Sequence, residues 1–171
     1  MTKKWLVWLR LVKNMKVRYC YFGLVSRQEN ETLVDKLRFI YEVVSKYNHK
    51  YNVSGVFYYA NQSFFHCIEG NKNTVDKLVK YLGTSDKITK INKIEEIEIQ
   101  NHHYIDWTMK YVHKDSNIMS FFHELDYPLF LPLSLSDDQK FSLMTVILNE
   151  LPDPLKVKHA KGYKNRGKNF Y

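Results

Sequence analysis

From Lys16 to Gly23 the chain strings together Val17, Tyr19, Cys20, Tyr21 and Phe22, a β-branched and aromatic run that predicts a strand. The period then changes. Leu33, Leu37, Ile40, Val44 and Tyr47 recur every three or four residues, which puts them on one face of a helix, with Asn30 placed to cap its start and an end expected near Asn48-His49. Residues 53–60 and 63–69 are again rich in strand formers, and Asn61-Gln62 between them is turn chemistry, so the pair predicts a hairpin. Residues 70–73 interrupt that pattern. Val75, Leu78, Val79 and Leu82 then form a second helical stripe, with Asn73 as a cap candidate and Gly83 past its end. Residues 94–100 alternate apolar and acidic side chains, and 107–112 alternate again with Trp107, Met109 and Tyr111 on one side, predicting two more strands.

This βαββαββ order implies an α+β fold, a ferredoxin-like sheet with two helices on one face. Material to cover the other face lies downstream. Residues 115–125 are a short helical candidate, 127–135 a Pro-broken connection, and Ser136 to Gln139 has capping-box spacing ahead of Phe141, Met144, Ile147, Leu148 and Leu151, before Pro152 and Pro154 stop the helix. The chain therefore divides into a basic and apolar N-terminal extension (1–14), a sheet domain (15–113), a C-terminal helical appendage (114–155) and a basic tail (156–171). No internal repeat is visible.

A length of 171 residues with 44% hydrophobic and 15% aromatic side chains suits one core and argues against global disorder. The net charge of +8 invites a polyanion-binding reading, but its distribution narrows that. Residues 1–18 and 156–171 carry twelve basic groups and no acid, while 19–155 is net −4, so any such attraction belongs to the ends. Met15 directly before the first strand is a plausible translation start, which would remove Lys3, Lys4, Arg10 and Lys13. Cys20 and Cys67 are too few for a disulfide framework and lack metal-ligand spacing. Alternation places both on the sheet face away from the two helices, buried and reduced by default, with redox sensing as the lesser option. No apolar run approaches the ~20 residues of a membrane span, and Arg10 splits the only stretch resembling a signal peptide, so a cytoplasmic protein is expected.

Several motifs, in order and at fitting separations, carry a resemblance. They are Cys20-Tyr21, Tyr47-Asn48 followed by Asn52-Val53-Ser54-Gly55-Val56, Phe64-Phe65-His66-Cys67-Ile68-Glu69-Gly70, and Trp107-Thr108-Met109. Over roughly residues 16–113 the chain resembles the BLUF family, blue-light sensors using flavin; its C-terminal helices and basic tail look most like the short BLUF proteins of Acinetobacter-type bacteria. The resemblance implies a flavin, FAD with FMN as the alternative, between the two helices. It implies output through a regulatory protein partner, a transcription regulator being one candidate, with homo-oligomerisation left open and no catalytic turnover. By the same resemblance Tyr21 matches the electron and proton donor, and Asn48 the residue holding the flavin ring edge. Tyr47 packs beside the ring, and Trp107 and Met109 alternate near a switching glutamine and pass the signal to the fifth strand.

The chain departs from the family at that glutamine, where His66 stands. An amide can reverse its donors and acceptor, whereas a neutral imidazole offers one donor and one acceptor on opposite ring edges. His66 can still bridge Tyr21 to a flavin and relay a proton. Where the family often has Arg, Asp and an Arg-His pair after the second helix, this chain has Tyr81, Ser85, Lys87 and Ile88, leaving Lys80 and Lys87 as substitutes for nucleotide contacts. Duller readings stand beside these: a core tyrosine at 21, a capping Asn48, a hydrogen-bonded core His66, and packing roles for Trp107 and Met109. Two alternatives follow at the level of function, a light-insensitive interaction module on the same fold and a ferredoxin-like nucleic-acid binder. The second lacks the aromatic strand motif of RNA-binding sheets and has an acidic body. His102-His103 has no partner at metal-ligand spacing, and nothing indicates a phosphate loop, a nucleophile elbow or paired catalytic carboxylates.

Overall fold

The computed structural model describes residues 15–27 and 31–150. Along the chain come β1 (Lys16–Val25), α1 (Leu33–Tyr51), β2 (Ser54–Ala60), β3 (Ser63–Asn71), α2 (Lys72–Gly83), β4 (Ile88–Glu98), β5 (Trp107–Tyr111), α3 (Asn117–Glu124), a 3-10 turn (Pro132–Ser134) and α4 (Asp137–Asn149). The strands form one sheet in the order β4-β1-β3-β2-β5, antiparallel except for the parallel pair β2·β5. This is the expected α+β, ferredoxin-like arrangement.

Alternation along the strands sorts the apolar side chains onto two faces. Val17, Tyr21, Phe57, Phe64, Ile68 and Trp107 pack with Leu37, Ile40 and Val44 of α1 and Val75, Leu78 and Leu82 of α2. Cys20, Phe22, Val56, Phe65 and Cys67 pack with Ile118, Met119 and Phe122 of α3 and Leu143, Met144 and Ile147 of α4. The appendage thus covers the second face, as the capping-box spacing at Ser136 anticipated; the Ser136 hydroxyl accepts from Gln139 N and the Gln139 side chain accepts from Ser136 N.

Several boundaries differ from the sequence reading. Asn30 lies outside the described residues, and α1 is capped instead by Thr32, which forms a capping box with Asp35. The helix runs past Asn48-His49 to Tyr51, where Asn52 at φ 53 and ψ 48 ends it in the left-handed conformation that asparagine tolerates. The cap of α2 is Asn71, not Asn73, and Gly83 is its last residue, with Thr84 following as C-cap. The fourth strand begins at Ile88, not near 94: the register with β1 slips between Phe22 and Leu24, with Lys90 at φ 51, and this bulge breaks the alternation that would have marked the strand's first half. The hairpin turn is as expected, Asn61 and Gln62 both having positive φ as a type I′ turn demands. The Met15 start, residues 1–14, Leu151, the prolines after α4 and the basic tail fall outside the described residues, apart from Met15 itself.

Candidate functional site

Tyr21 on β1, His66 on β3, Phe57 on β2 and Met109 on β5 are successive register partners across the sheet, so they form one row. Parity puts that row on the face covered by α1 and α2. Trp107 stands two residues before Met109, opposite Gly55, which presents no side chain. With nothing standing on β2 at that point, the indole crosses the strand and its Nε1–H donates to His66 Nε2 at 3.1 Å. On the other side, His66 Nδ1 and the Tyr21 hydroxyl oxygen are 2.9 Å apart. Tyr21 and His66 have no exposed surface.

The proton positions follow from the donor inventory. An indole N–H only donates, so Nε2 must offer its lone pair; the ring is then neutral with its proton on Nδ1, and Nδ1–H donates to the Tyr21 oxygen. Burial supports the neutral ring, holding His66 down at about 3, and burial also raises the Tyr21 hydroxyl well above the ordinary tyrosine range. One consequence is that the Tyr21 O–H proton has no acceptor among the described residues. Phe57 and Phe64, stacked with centroids 4.9 Å apart, wall the ring pair on its apolar side; Phe57 meets His66 edge-on at 5.1 Å and Phe64 meets Tyr21 edge-on at 5.7 Å.

The other expected residues divide by position. Met109 packs against the helix-face cluster beside Trp107, and Tyr47 does so at its rim, tilted against Tyr51 with centroids 5.4 Å apart. Asn48 is inside α1 and is not its cap; its Nδ2 donates to Val53 O at 2.7 Å, leaving one N–H and Oδ1 open. Lys87 is held by Glu31 and Asp86 and sits 6.0 Å from the Phe39 ring centroid, so its charge is already balanced. Lys80 is exposed on α2 and its carbonyl accepts from Thr84.

Three contributors were not read from the sequence as site residues. Tyr41 on α1 covers Trp107, ring centroids 5.8 Å apart. Gly55 clears the path of the indole. Glu69, fully buried on the opposite face, accepts from Arg18 Nε at 2.7 Å and from the backbone N–H groups of His103 at 2.7 Å and Tyr104 at 3.1 Å, and so clamps the loop that delivers Trp107 to β5. The Glu69-Gly70 pair carried a signal only as a motif; its link to the 99–106 loop is a tertiary fact with no periodic trace.

A buried phenol with an uncommitted proton and an asparagine with a free donor and acceptor suit a planar ligand edge bearing carbonyl, N–H and ring nitrogen groups. A flavin ring presents that set, and these residues fit it. Among the described residues no three His, Cys, Asp or Glu could hold a metal ion, and no helix is long and apolar enough to cross a membrane.

Such a site on such a sheet defines an α+β domain whose buried polar row suits a planar aromatic ligand. The family described as "BLUF: Sensors of blue-light using FAD" matches residues 17–110, and the chain belongs to it. Among solved structures, BlsA in its photo-activated state is 29% identical with a TM-score of 0.66, over 81% of this chain and 99% of that one. A bacterial light-regulated adenylyl cyclase is 26% identical with a TM-score of 0.53, over 66% of this chain but 34% of that one. The BLUF protein BlrB, 18% identical with a TM-score of 0.61 over 81% of this chain and 99% of that one, shares the fold. Comparison with curated proteins gives no match. The protein is thus a flavin-binding blue-light sensor by family.

Proposed function

We propose that this sensor works through the Tyr21–His66–Trp107 chain, with a histidine tautomer in the place of an amide rotation, and that its output is a changed contact with a regulatory protein through β5 and the C-terminal helices. The observation that carries the reading is the double engagement of His66, 2.9 Å from Tyr21 and 3.1 Å from Trp107. FAD is the expected flavin; when bound it absorbs blue light and takes up an electron and a proton. Tyr21 is the donor, since its hydroxyl proton is the one left uncommitted. Asn48 holds the ring edge with its free amide groups, and Tyr47 packs beside it. Lys80 is the cation left for the nucleotide phosphates, because Lys87 is already paired.

His66 has two neutral states. With the proton on Nδ1 it satisfies both neighbours. With the proton on Nε2 and Tyr21 donating to Nδ1, two N–H groups face each other and the Trp107 indole must leave. The imidazole therefore couples the proton of Tyr21 to the position of a residue on β5, with Met109 next to fill the space. The output is a contact and not a turnover.

The test is absorption of the purified, flavin-loaded protein before and after blue light. A yellow protein with a reversible shift of the flavin band, larger in His66→Gln and absent in His66→Phe, is expected. Failure to take up flavin would overturn the reading. The second reading, a light-insensitive interaction module, is favoured by the imidazole at position 66, which has no amide to reverse; it requires that the unaltered chain show no shift while His66→Gln gains one.

A further inference from the structure

Cys20 and Cys67 are register partners in the antiparallel β1·β3 pair. Which kind of rung they occupy follows from the ends of that ladder. Val25 N–H donates to Gln62 O and Lys72 N–H donates to Met15 O, so odd-numbered residues of β1 lie at hydrogen-bonded rungs and even-numbered ones at the rungs between. Cys20 and Cys67 therefore form a non-hydrogen-bonded pair, whose Cα atoms stand about 4.5 Å apart with the side chains at their closest. A disulfide takes Cα separations of roughly 4.4–6.8 Å, so this rung falls within reach of one, at the short end of the range.

The thiols are buried and free. Ile118, Met119 and Phe122 of α3 and Leu143, Met144 and Ile147 of α4 share their cluster. Tyr104 shares it too, and its buried hydroxyl has no hydrogen-bond partner among the described residues, which gives a small polar oxidant one group to bind inside an apolar cluster. The next rung of the same ladder is Tyr21–His66, on the other face of the sheet.

We infer that Cys20 and Cys67 are a redox-modifiable pair that closes to a cross-strand disulfide under a peroxide-class oxidant, at a rate set by how firmly the C-terminal helices cover it. One thiol gives up its proton and attacks a peroxide oxygen, forming a sulfenic acid and releasing water. The second thiol attacks that sulfur, the S–O bond breaks, and a second water leaves as the disulfide forms. Two electrons pass from the sulfurs to the peroxide. Burial raises the Cys67 thiol, so the covered pair carries little thiolate and reacts slowly; loosening the appendage admits water and oxidant together. The bridge ties β1 to β3 beside the Tyr21–His66 rung, so oxidation reports on the site from behind.

The experiment treats the full chain with hydrogen peroxide in the dark and follows intact mass and free thiols. The expected product is a monomer lighter by about 2 Da, the two thiol hydrogens, with both thiols lost together. Cys20→Ser and Cys67→Ser must not give that product. Oxidation is expected to quicken severalfold in Phe122→Ala, and likewise in the unaltered chain at urea concentrations below its unfolding transition. In the oxidised protein the Trp107 indole N–H resonance shifts, and it does not shift in Cys20→Ser under the same treatment. A folded protein that gains oxygen on one cysteine, or that links two chains, while the −2 Da monomer never forms would overturn the proposal. These readouts need no flavin, so they stand or fall apart from the light reaction.

Discussion

His66 is the residue on which the site turns, because each of its nitrogens answers to a different neighbour. Its buried ring titrates at about 3, against 6.5 for an ordinary histidine. The unfolded chain therefore binds a proton that the folded chain refuses between these values, and the His66 contribution to stability is intact above pH 6.5 and lost as pH falls towards 3. Between pH 6.5 and pH 5 the unaltered protein should lose about 2 kcal/mol more than His66→Gln, read from urea unfolding of both at each pH. Equal losses would mean that the ring is not held neutral. The identity and position of His66 were legible in the sequence, as were Tyr21 and Trp107. Their proton order was not, since it depends on an indole reaching across β2 from β5, a contact that strand periodicity does not record.

At the scale of elements, what positions the site is the seam between β2, β3 and β5. Gly55 has φ +142, and a Cβ there would sit 2.0 Å from the Cys67 carbonyl oxygen. Gly55→Ala should cost about 3 kcal/mol or more and release Trp107 from His66, seen as lower thermal stability together with an altered tryptophan emission. Glu69 holds the adjoining loop. Glu69→Gln leaves Arg18 without its charge partner and should destabilise by about 2–3 kcal/mol, under the range for a fully buried pair because Arg18 keeps some solvent. Thr32→Ala removes the side-chain oxygen that accepts from Asp35 N and should cost about 1 kcal/mol by denaturant unfolding, with the site unchanged. The strands and helices could be read from their periods because one face of each is buried. The start of β4 could not, since the bulge opposite Gly23 scrambles the alternation there, and both N-caps were displaced by two residues because Asn and Thr are clustered where the helices begin.

The whole molecule is a sheet with two different tasks on its two faces. The helix face holds the tyrosine, the histidine and the tryptophan, and the appendage face holds two cysteines, the Glu69 clamp and the C-terminal helices. Strand β5 belongs to both, since Trp107 and Met109 look to one face and Val112, just beyond it, packs on the other. A movement of Trp107 therefore has a short path to the appendage. The net charge of +8 resolves into basic chain ends around a net −4 body, so the charge lies apart from the neutral residues of the site. The account stands most directly on one measurement, the absorption spectrum of the flavin-loaded protein before and after blue light alongside His66→Phe. It predicts a reversible shift of the flavin band in the unaltered chain and none in the variant; a shift that persists undiminished in His66→Phe would contradict it.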